Sequence, residues 1–537
     1  MNRKEARHKL KVARALLATG IVKPIRPDRA VRALLVLRRW GPTPAAAYGA
    51  SSVRYPNEPA IIDERGVLSF MDVQRRTNAL ARALAREGIS EDDDVAIMCR
   101  NHRGFIDATV ALAKLGAGAL YLNTAFAGPQ IADVMRRENP AALIYDEDFA
   151  ELVREGGEGR KRFVAWSEPG ASPADPLVED LIARESDAEL EPPKTNGRVV
   201  ILTSGTTGTP KGAARKQPSS IEPAAALFSK IPLRARETTV IAAPMFHSWG
   251  FAHFTLSLPL ASTLVLQRRF DPEETLRAVA RHRASALAAV PVMLQRILDL
   301  GAEVIARYDV HCLRVIALSG SALPGELATR TMDTFGDVVY NLYGSTEVAW
   351  ATIATPADLR AAAGTAGRPP MGTVVKLLDR DGQEVAPGET GRIFVANEMV
   401  FEGYTGGGGK EIVRGLMSTG DVGRFDAGGR LFVEGRDDEM IVSGGENVFP
   451  REVEDLLADQ DGIEDVAVIG VEDEQFGQRL KAFVVPRNGS KLSDEMVKDY
   501  VKENLARFKV PREVVFLAEL PRNASGKILK RELRSLT

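Results

Sequence analysis

Val199-Val200-Ile201-Leu202, followed at once by Thr203-Ser204-Gly205-Thr206-Thr207-Gly208-Thr209-Pro210-Lys211-Gly212, is the stretch on which the reading of this chain turns. The apolar run reads as a buried strand. The loop after it crowds glycines and hydroxyl residues together, giving closely spaced backbone N–H and O–H donors that can wrap a cluster of anionic oxygens. Lys211 adds a mobile positive charge. Such a loop points to a nucleotide polyphosphate. A P-loop of the Walker type needs Gly directly before its Lys and Ser or Thr after it, whereas Pro210 precedes Lys211 and Gly212 follows it. That disfavours a P-loop phosphotransferase. Ala213-Ala214-Arg215-Lys216 carries no helix N-cap signal, so a helix dipole is not aimed at the phosphates.

Outward from this loop, apolar runs alternate with helical periodicity. Ala60-Ile61-Ile62, Val95–Met98 and Ala141–Tyr145 read as strands, with helices at Met71–Glu87 and Phe105–Leu115. A second alternating block runs from Val240 to Tyr343, with strands at Ala286–Val290, Val315–Leu318 and Val338–Tyr340. Each of these ends in Gly, Ser or Pro. The pattern predicts an α/β architecture with largely parallel sheets and a ligand crevice at the carboxyl ends of the strands. Gly367 to Glu434 alternates short strands with Gly turns, which suggests a small β-rich subdomain. About one hundred residues after Gly435 are enough for a separate small domain. Residues 168–197 read as a surface connection, and Gly406–Gly409 as a loop tip.

A chain of 537 residues exceeds one ordinary core, so two or more domains are expected. A net charge of −2 argues against a general nucleic-acid binder. Cys99 and Cys312 exclude a disulfide framework and fit a reducing, cytoplasmic setting. The six histidines are scattered, so a zinc centre is not expected.

Charge is uneven along the chain. Residues 1–40 hold twelve Lys or Arg against Glu5 and Asp28, a local charge of +10 that leaves −12 for the remainder. Ala6, Leu10, Ala13 and Leu17 recur at helical spacing, and a second apolar stretch, Ala33–Leu37, ends at Arg38-Arg39-Trp40. A basic amphipathic arm of this type suits peripheral contact with the inner face of an anionic membrane. Docking on the protein's own acidic surface is the competing reading. The arm is not a signal peptide, since its first apolar run is short and broken by Thr19-Gly20. Thr238 to Gln267 is thirty residues without a charge, but Pro244, Gly250 and Pro259 divide it into strand, helix and strand rather than a membrane span.

Four further motifs follow the Thr203 loop in order. They are Asn341-Leu342-Tyr343-Gly344-Ser345-Thr346-Glu347; Ser418-Thr419-Gly420-Asp421; Gly435-Arg436-Asp437-Asp438 running into Ser443-Gly444-Gly445-Glu446-Asn447; and Pro521-Arg522-Asn523-Ala524-Ser525-Gly526-Lys527. Together the five resemble the acyl-CoA synthetase branch, the fatty-acid–CoA ligases, of the adenylate-forming superfamily, over about residues 50 to 535. The resemblance implies a large N-terminal domain of stacked α/β subdomains with a β-rich subdomain, followed by a small mobile α+β domain. Residues 1–48 are then a basic arm, 49–435 the AMP-binding adenylation domain, 436–438 a hinge and 439–537 the mobile domain. It implies ATP, Mg2+ and coenzyme A. A carboxylate attacks the α-phosphate of ATP, and a thiol then displaces AMP. Both partners of the first step are anions, so positioning and positive charge matter more than covalent chemistry.

Roles follow by resemblance. The loop Thr203, Ser204, Gly205, Thr206, Thr207, Gly208 with Lys211 would hold the β- and γ-phosphates. Glu347 would ligate the metal, helped by Thr203. Tyr343 and the wall Gly320, Ser321, Ala322 would flank the adenine, with Gly344, Ser345 and Thr346 beside them. Asp421 would accept from the ribose hydroxyls, and Arg436 would reach the sugar or the α-phosphate. Lys527 would bridge the acyl carboxylate and α-phosphate during adenylation only. Asp438 matches the hinge, after which Gly444, Gly445 and Glu446 would line the coenzyme A channel. His247, in Met245-Phe246-His247-Ser248-Trp249, would orient the acid, with a buried structural histidine as the other reading.

Phe246, Trp249, Phe251 and Phe254 give apolar walls without an Asp for an amino group, which favours fatty or aryl acids; with the resemblance, the expected substrate is a fatty acid of medium to long chain. Aryl or other carboxylic acids, a fatty acyl-AMP ligase serving a carrier protein, and a non-catalytic scaffold remain as alternatives. A homodimer is compatible with the chain. Two departures from the family pattern weaken transfer of specificity: the Trp of the Gly-Trp that many relatives have before Ser418 is absent, this chain reading Gly415-Leu416-Met417, and the loop Thr405–Val413 is short and Gly-rich.

Overall fold

The computed structural model describes residues 3–22, 25–203, 211–215, 220–439, 441–443, 446–473, 477–523 and 526–536. Its strands form four sheets among the described residues. An eight-stranded sheet places Tyr343's strand (Val339–Tyr343) beside Val315–Leu318, then Ala286–Ala289, Thr238–Ile241, Thr263–Leu266 and Pro59–Asp63, all parallel, with antiparallel edges at Thr352–Ala354 and Gly66–Ser69. A seven-stranded sheet centres on Val199–Thr203, Gly118–Tyr121, Asp94–Met98, Ala142–Asp146 and Lys161–Trp166, again parallel.

The largest core lies between these two sheets. Ile61, Ile241 and Leu264 from one meet Val95, Ile97 and Ile144 from the other through Leu80, Leu84, Phe105, Leu112 and Phe254. Those side chains come from three helices, Phe70–Arg86, Arg103–Leu115 and Ser248–Leu260. Ser69 and Asp72 close a capping box at the start of the first. His102 caps the second, its Nδ1 accepting the Gly104 N–H at 3.0 Å while Nε2–H donates to Asp146 at 2.7 Å. Cys99 completes a buried trio with ligand atoms within 4.8 Å of one another, but both ring nitrogens of His102 are already engaged by the fold.

The uncharged segment 238–267 is strand, helix and strand inside the protein. No described helix is long and apolar enough to cross a membrane. The β-rich block is a five-stranded sheet built on Leu416–Phe425. The C-terminal sheet pairs the long strands Ile463–Asp473 and Gly477–Pro486 and is backed by helices Pro450–Ala458 and Asp494–Asn504.

Two parts differ from expectation. The connection 168–197 contains the helix Val178–Arg184, whose Glu179 forms a forked pair with Arg76. Its short apolar face (Val178, Leu181, Ile182) is diluted by flanking Pro, Glu and Asp in the sequence. The arm folds as helices Arg3–Ala18 and Pro27–Trp40, the second leading into Pro44–Arg54. The first helix buries Val12 and Ala15 against Ala225, so the stripe of Leu10, Ala13 and Leu17 marked by the periodicity faces outward.

Candidate active site

The parallel strands of the eight-stranded sheet release their loops at one edge. Ala242–His247, Val290-Pro291, Ser319-Gly320-Ser321 and Gly344–Glu347 all border one cavity of about 1700 Å3. Asn101 fixes the first of these loops. Its side-chain amide donates to the Ile241 and Ala243 carbonyls (3.1 and 2.9 Å) and accepts the Met245 N–H (2.8 Å). This buried clamp from the other sheet sets where His247 begins the helix Ser248–Leu260. His247 Nε2 is shielded from water and has no partner, and burial lowers the ring to about 4, so it is a neutral imidazole at pH 7.

Strands Val199–Thr203 and Lys211–Arg215 form an antiparallel hairpin with Thr203 opposite Lys211. The strand after the loop accounts for the missing helix N-cap. Residues 204–210 lie outside the described residues, as do Gly444 and Gly445, so the expectations for Ser204, Gly205, Thr206, Thr207 and Gly208 and for those two glycines are not placed. Glu446 lies in a short strand, Glu446–Val448. Lys211 borders the cavity, its Nζ 5.3 Å from the centre of the Tyr404 ring. Tyr404 in turn donates its hydroxyl to Glu347 Oε1 at 2.7 Å. Glu347 is only 9% exposed. Burial alone would raise its carboxyl, but the Tyr404 and Ser345 hydroxyls and the charge of Lys410 outweigh that and hold it below the ordinary value. A buried carboxylate kept ionised in this way fits a hard dication.

Asp421 and Arg436 are cross-strand partners on Leu416–Phe425 and Leu431–Arg436, with 3.6 Å between guanidinium and carboxylate. The Tyr343 hydroxyl donates to Asp421 Oδ2 at 2.5 Å and lies 3.2 Å from Thr419 Oγ1. Burial raises the Asp421 carboxyl, and Tyr343, Arg436, Lys527 and Lys410 offset that only in part. Gly320, Ser321 and Ala322 line the same cavity, as does Asn341, whose Oδ1 is buried and unpartnered.

Lys527 reaches this site from the far end of the chain. A tight turn presents it: the Asn523 N–H donates to the Lys527 carbonyl (2.9 Å), the Lys527 N–H donates to Asn523 Oδ1 (2.9 Å), and Arg522 ties the turn to Asp465 (2.7 Å). The turn seats on the N-terminal domain, where Gly526 packs against Val290 and Val292. Asp438 lies in the short turn Asp437–Glu439 between the two parts. The structure therefore brings together Lys211, His247, Gly320–Ala322, Tyr343–Glu347, Asp421, Arg436 and Lys527 around one cavity.

The AMP-binding enzyme model matches residues 50–405, and the AMP-binding enzyme C-terminal domain model matches residues 452–527. This chain belongs to the AMP-binding enzyme family. The indoleacetate–CoA ligase of Aromatoleum aromaticum is 32% identical over 91% of this chain and 95% of its own length. A feruloyl-CoA synthase of an Amycolatopsis species is 33% identical over 89% and 96%. The o-succinylbenzoate CoA synthetase of Bacillus subtilis, solved with its acyl-adenylate, superposes with a TM-score of 0.79 at 27% identity, covering 91% and 97% of the two chains. The expected fold class stands, as does the expected reaction: ATP-dependent activation of a carboxylic acid through an acyl-adenylate, then thioester formation with coenzyme A. Restriction to fatty acids does not follow from these relatives, whose names specify indoleacetate, feruloyl and o-succinylbenzoate groups.

Sequence reasoning passed over four residues here. Asn101 carries no motif signal. Tyr404 lies in Glu402-Gly403-Tyr404, and Lys410 in a loop noted only for being short and Gly-rich. Asn341 stood inside a quoted motif without a role.

Proposed function

We propose that this ligase activates an elongated apolar acid, a fatty acid of medium to long chain. The observation behind this reading is the shape of the cavity wall. Phe251, Ala252, Thr255, Leu258 and Pro259 border the cavity at helical spacing along Ser248–Leu260. Thirteen residues of helix rise about 20 Å, so this limb runs well past the neighbourhood of His247. Ala46, Ala47 and Ala50 form a second small-residue stripe, and Ala33, Leu34 and Leu37 of the arm border the cavity as well. Arg54 on this limb is engaged with the Ile21 carbonyl and the Tyr55 hydroxyl. A compact aromatic acid would leave such a limb empty. Each methylene that enters it is worth about 0.8 kcal/mol, roughly fourfold in kcat/KM.

The roles proposed for the remaining residues follow the family resemblance and, where the residues are described, the cavity they border. Lys211 and the Thr203 hairpin hold the β- and γ-phosphates, and Glu347 would hold Mg2+, which supplies charge neutralisation there when bound. Asn341 Oδ1 accepts from the adenine amine beside Tyr343 and Gly320–Ala322. Asp421 and Arg436 hold the sugar, and His247 orients the acid as a neutral donor. Lys527 neutralises the approach of the carboxylate to the α-phosphate, and Glu446 with Gly444 and Gly445 serves coenzyme A after the domain turns at Asp438. Activity on butyrate, octanoate, palmitate, ferulate and indoleacetate tests the assignment by AMP release with coenzyme A present. A climb of kcat/KM with chain length is expected; a maximum on the ring-bearing acids with no chain-length trend would overturn it.

We also propose that residues 1–40 touch an anionic membrane surface. Leu10 and Leu17 (60% exposed) share the outer face of the first helix with Lys11 and Arg14, and Leu34 (67%), Leu35 and Val31 stand out from the second beside Arg38. Apolar side chains flanked by cations suit an anionic interface. Leu34 also borders the acyl limb, so a membrane-held acid would meet its mouth there. Co-sedimentation with phosphatidylserine vesicles should exceed that with phosphatidylcholine and should fall in Leu35→Asp. Equal binding to both vesicle types would remove the proposal.

A further inference from the structure

The loop following Tyr404 has a defined place beside the phosphate hairpin. Gly403–Tyr404 pairs antiparallel with Lys211–Arg215, and Thr405 continues the contact, its N–H donating to the Gly212 carbonyl at 2.9 Å and its hydroxyl to Glu138 at 2.6 Å. At the other end, Arg392 holds the Glu411 carboxylate, and the Glu411 carbonyl accepts the Ser418 N–H at 2.9 Å. Between these anchors stand Gly406–Gly409 and Lys410. Gly407 and Gly408 have φ of +85° and +82°, so the loop turns in a region that favours glycine.

Lys410 borders the cavity. Its Nζ lies 3.4 Å from the position a Cβ on Gly420 would take, on the side where the Arg436 guanidinium lies at 3.3 Å from that point. It pairs with no carboxylate among the described residues. It nonetheless acts through space on both Glu347 and Asp421. Two cations are thus held near one glycine, between the carboxylate assigned to the metal and the one assigned to the sugar. Asp421, 3.6 Å from Arg436, balances one of these charges, and a further anion in the cleft would balance the other.

We propose that Lys410 is a further phosphate-binding residue of the adenylation step, contacting the triphosphate of ATP near the bridge between its α- and β-phosphates. The proposal rests on the nucleotide site described above. As the bond from the acid oxygen to the α-phosphorus forms, the bond from that phosphorus to the bridging oxygen breaks, and the electron pair leaves with pyrophosphate. Lys410 donates hydrogen bonds to the oxygen that gains this charge and transfers no proton. The glycine run lets the ammonium follow the leaving group, while the anchors at Thr405 and Glu411 keep it within reach.

Lys410→Ala and Lys410→Arg in the full-length protein test this. For Lys410→Ala, kcat/KM for ATP in acid-dependent ATP–pyrophosphate exchange should fall about a hundredfold, the scale of losing one transition-state charge donor. Thioester formation from supplied acyl-adenylate and coenzyme A should stay within about twofold, and the arginine variant should recover most of the exchange. AMP, which lacks the leaving phosphates, should bind Lys410→Ala as it binds the parent, which also reports on folding. Unchanged exchange, or equal loss in both half-reactions with AMP binding retained, overturns the role of Lys410. Should the parent protein show no exchange with any acid, the reading of the nucleotide site itself fails instead.

Discussion

Gly526 makes the seating of the C-terminal lysine turn measurable. A Cβ there would lie 2.6 Å from Val292 Cγ1, well inside contact, and 3.6 Å from Val290 Cγ2. Val292 is β-branched and follows Pro291 at the start of a helix, so its methyl cannot swing away cheaply. Gly526 also has φ +80°, where a non-glycine residue costs about 1–2 kcal/mol. The two costs act differently. Backbone strain is present wherever the C-terminal domain stands, whereas the collision exists only when the turn is seated with Lys527 near Asp421. Overpacking of this kind costs about 1–3 kcal/mol, so Gly526→Ala should lower adenylation by roughly 5- to 150-fold beyond any loss in thioester formation. Pyrophosphate exchange measures the first step, and conversion of supplied acyl-adenylate with coenzyme A the second. Val292→Ala removes the offending methyl, and in the double variant the difference between half-reactions should shrink to within a few fold. Equal loss in both half-reactions for Gly526→Ala, or a second substitution that restores nothing, would refute the seating of this turn as a requirement of adenylation alone.

Further outcomes follow from the same geometry. Lys527→Ala should lose adenylation by a factor on the order of 10²–10³ while largely retaining transfer from supplied acyl-adenylate; half-reaction assays check it. Asp438→Pro should do the reverse, sparing pyrophosphate exchange and blocking thioester formation, since a hinge must absorb backbone change. Ala50→Leu narrows the acyl limb, and activity on palmitate should fall about tenfold, the worth of nearly two methylenes, with butyrate unaffected. His253 is buried with both ring nitrogens unpartnered, and burial lowers it from 6.5 to about 4. The unfolded chain therefore binds a proton that the native state refuses below about pH 6.5, so its contribution is complete above that value and is lost as pH falls toward about 4. Between about pH 7.5 and about pH 5 this amounts to on the order of 2 kcal/mol, and His253→Leu should show a correspondingly smaller fall in thermal midpoint across that interval.

The layered core was legible because each strand carries its own record. Val95–Met98 and Val315–Leu318 are continuous apolar runs of the kind that parallel, two-sided burial requires. The helix Val178–Arg184 was not, because seven residues amid Pro, Asp and Glu give too little periodicity, and its place is fixed by Arg76, which lies about one hundred residues away in sequence. The arm shows a different limit. Periodicity marked Leu10, Ala13 and Leu17 as a face but could not say which way it points, since direction depends on a partner, here the helix Glu222–Phe228.

The site divides along the same line. Tyr343, Glu347 and Asp421 stand in compact motifs, yet what makes them useful comes from elsewhere in the chain: Asn101 for the loop before His247, Tyr404 for Glu347, Lys410 for the charge between the carboxylates. Two carboxylates in one cavity, Glu347 buried and Asp421 half-buried, could have behaved alike. Instead burial wins at Asp421, whose value rises, and loses at Glu347, whose value falls. The difference does not lie in cations, since Asp421 has three nearby (Arg436, Lys527 and Lys410) and Glu347 one; it lies in hydroxyl donors, one at Asp421 and two at Glu347. Glu347 receives two hydroxyls and a cation, so it stays charged, as a site for a dication must. Asp421 takes the Tyr343 hydroxyl on Oδ2, which orients the carboxylate and suits it to accept from neutral sugar hydroxyls as well. If the proposed metal and ribose roles hold, Tyr404 and Tyr343 are the residues that separate them. Exchanging either for Phe should expose it: Tyr404→Phe should raise the Mg2+ concentration needed for half-maximal pyrophosphate exchange, and Tyr343→Phe should weaken nucleotide binding with the metal requirement unchanged.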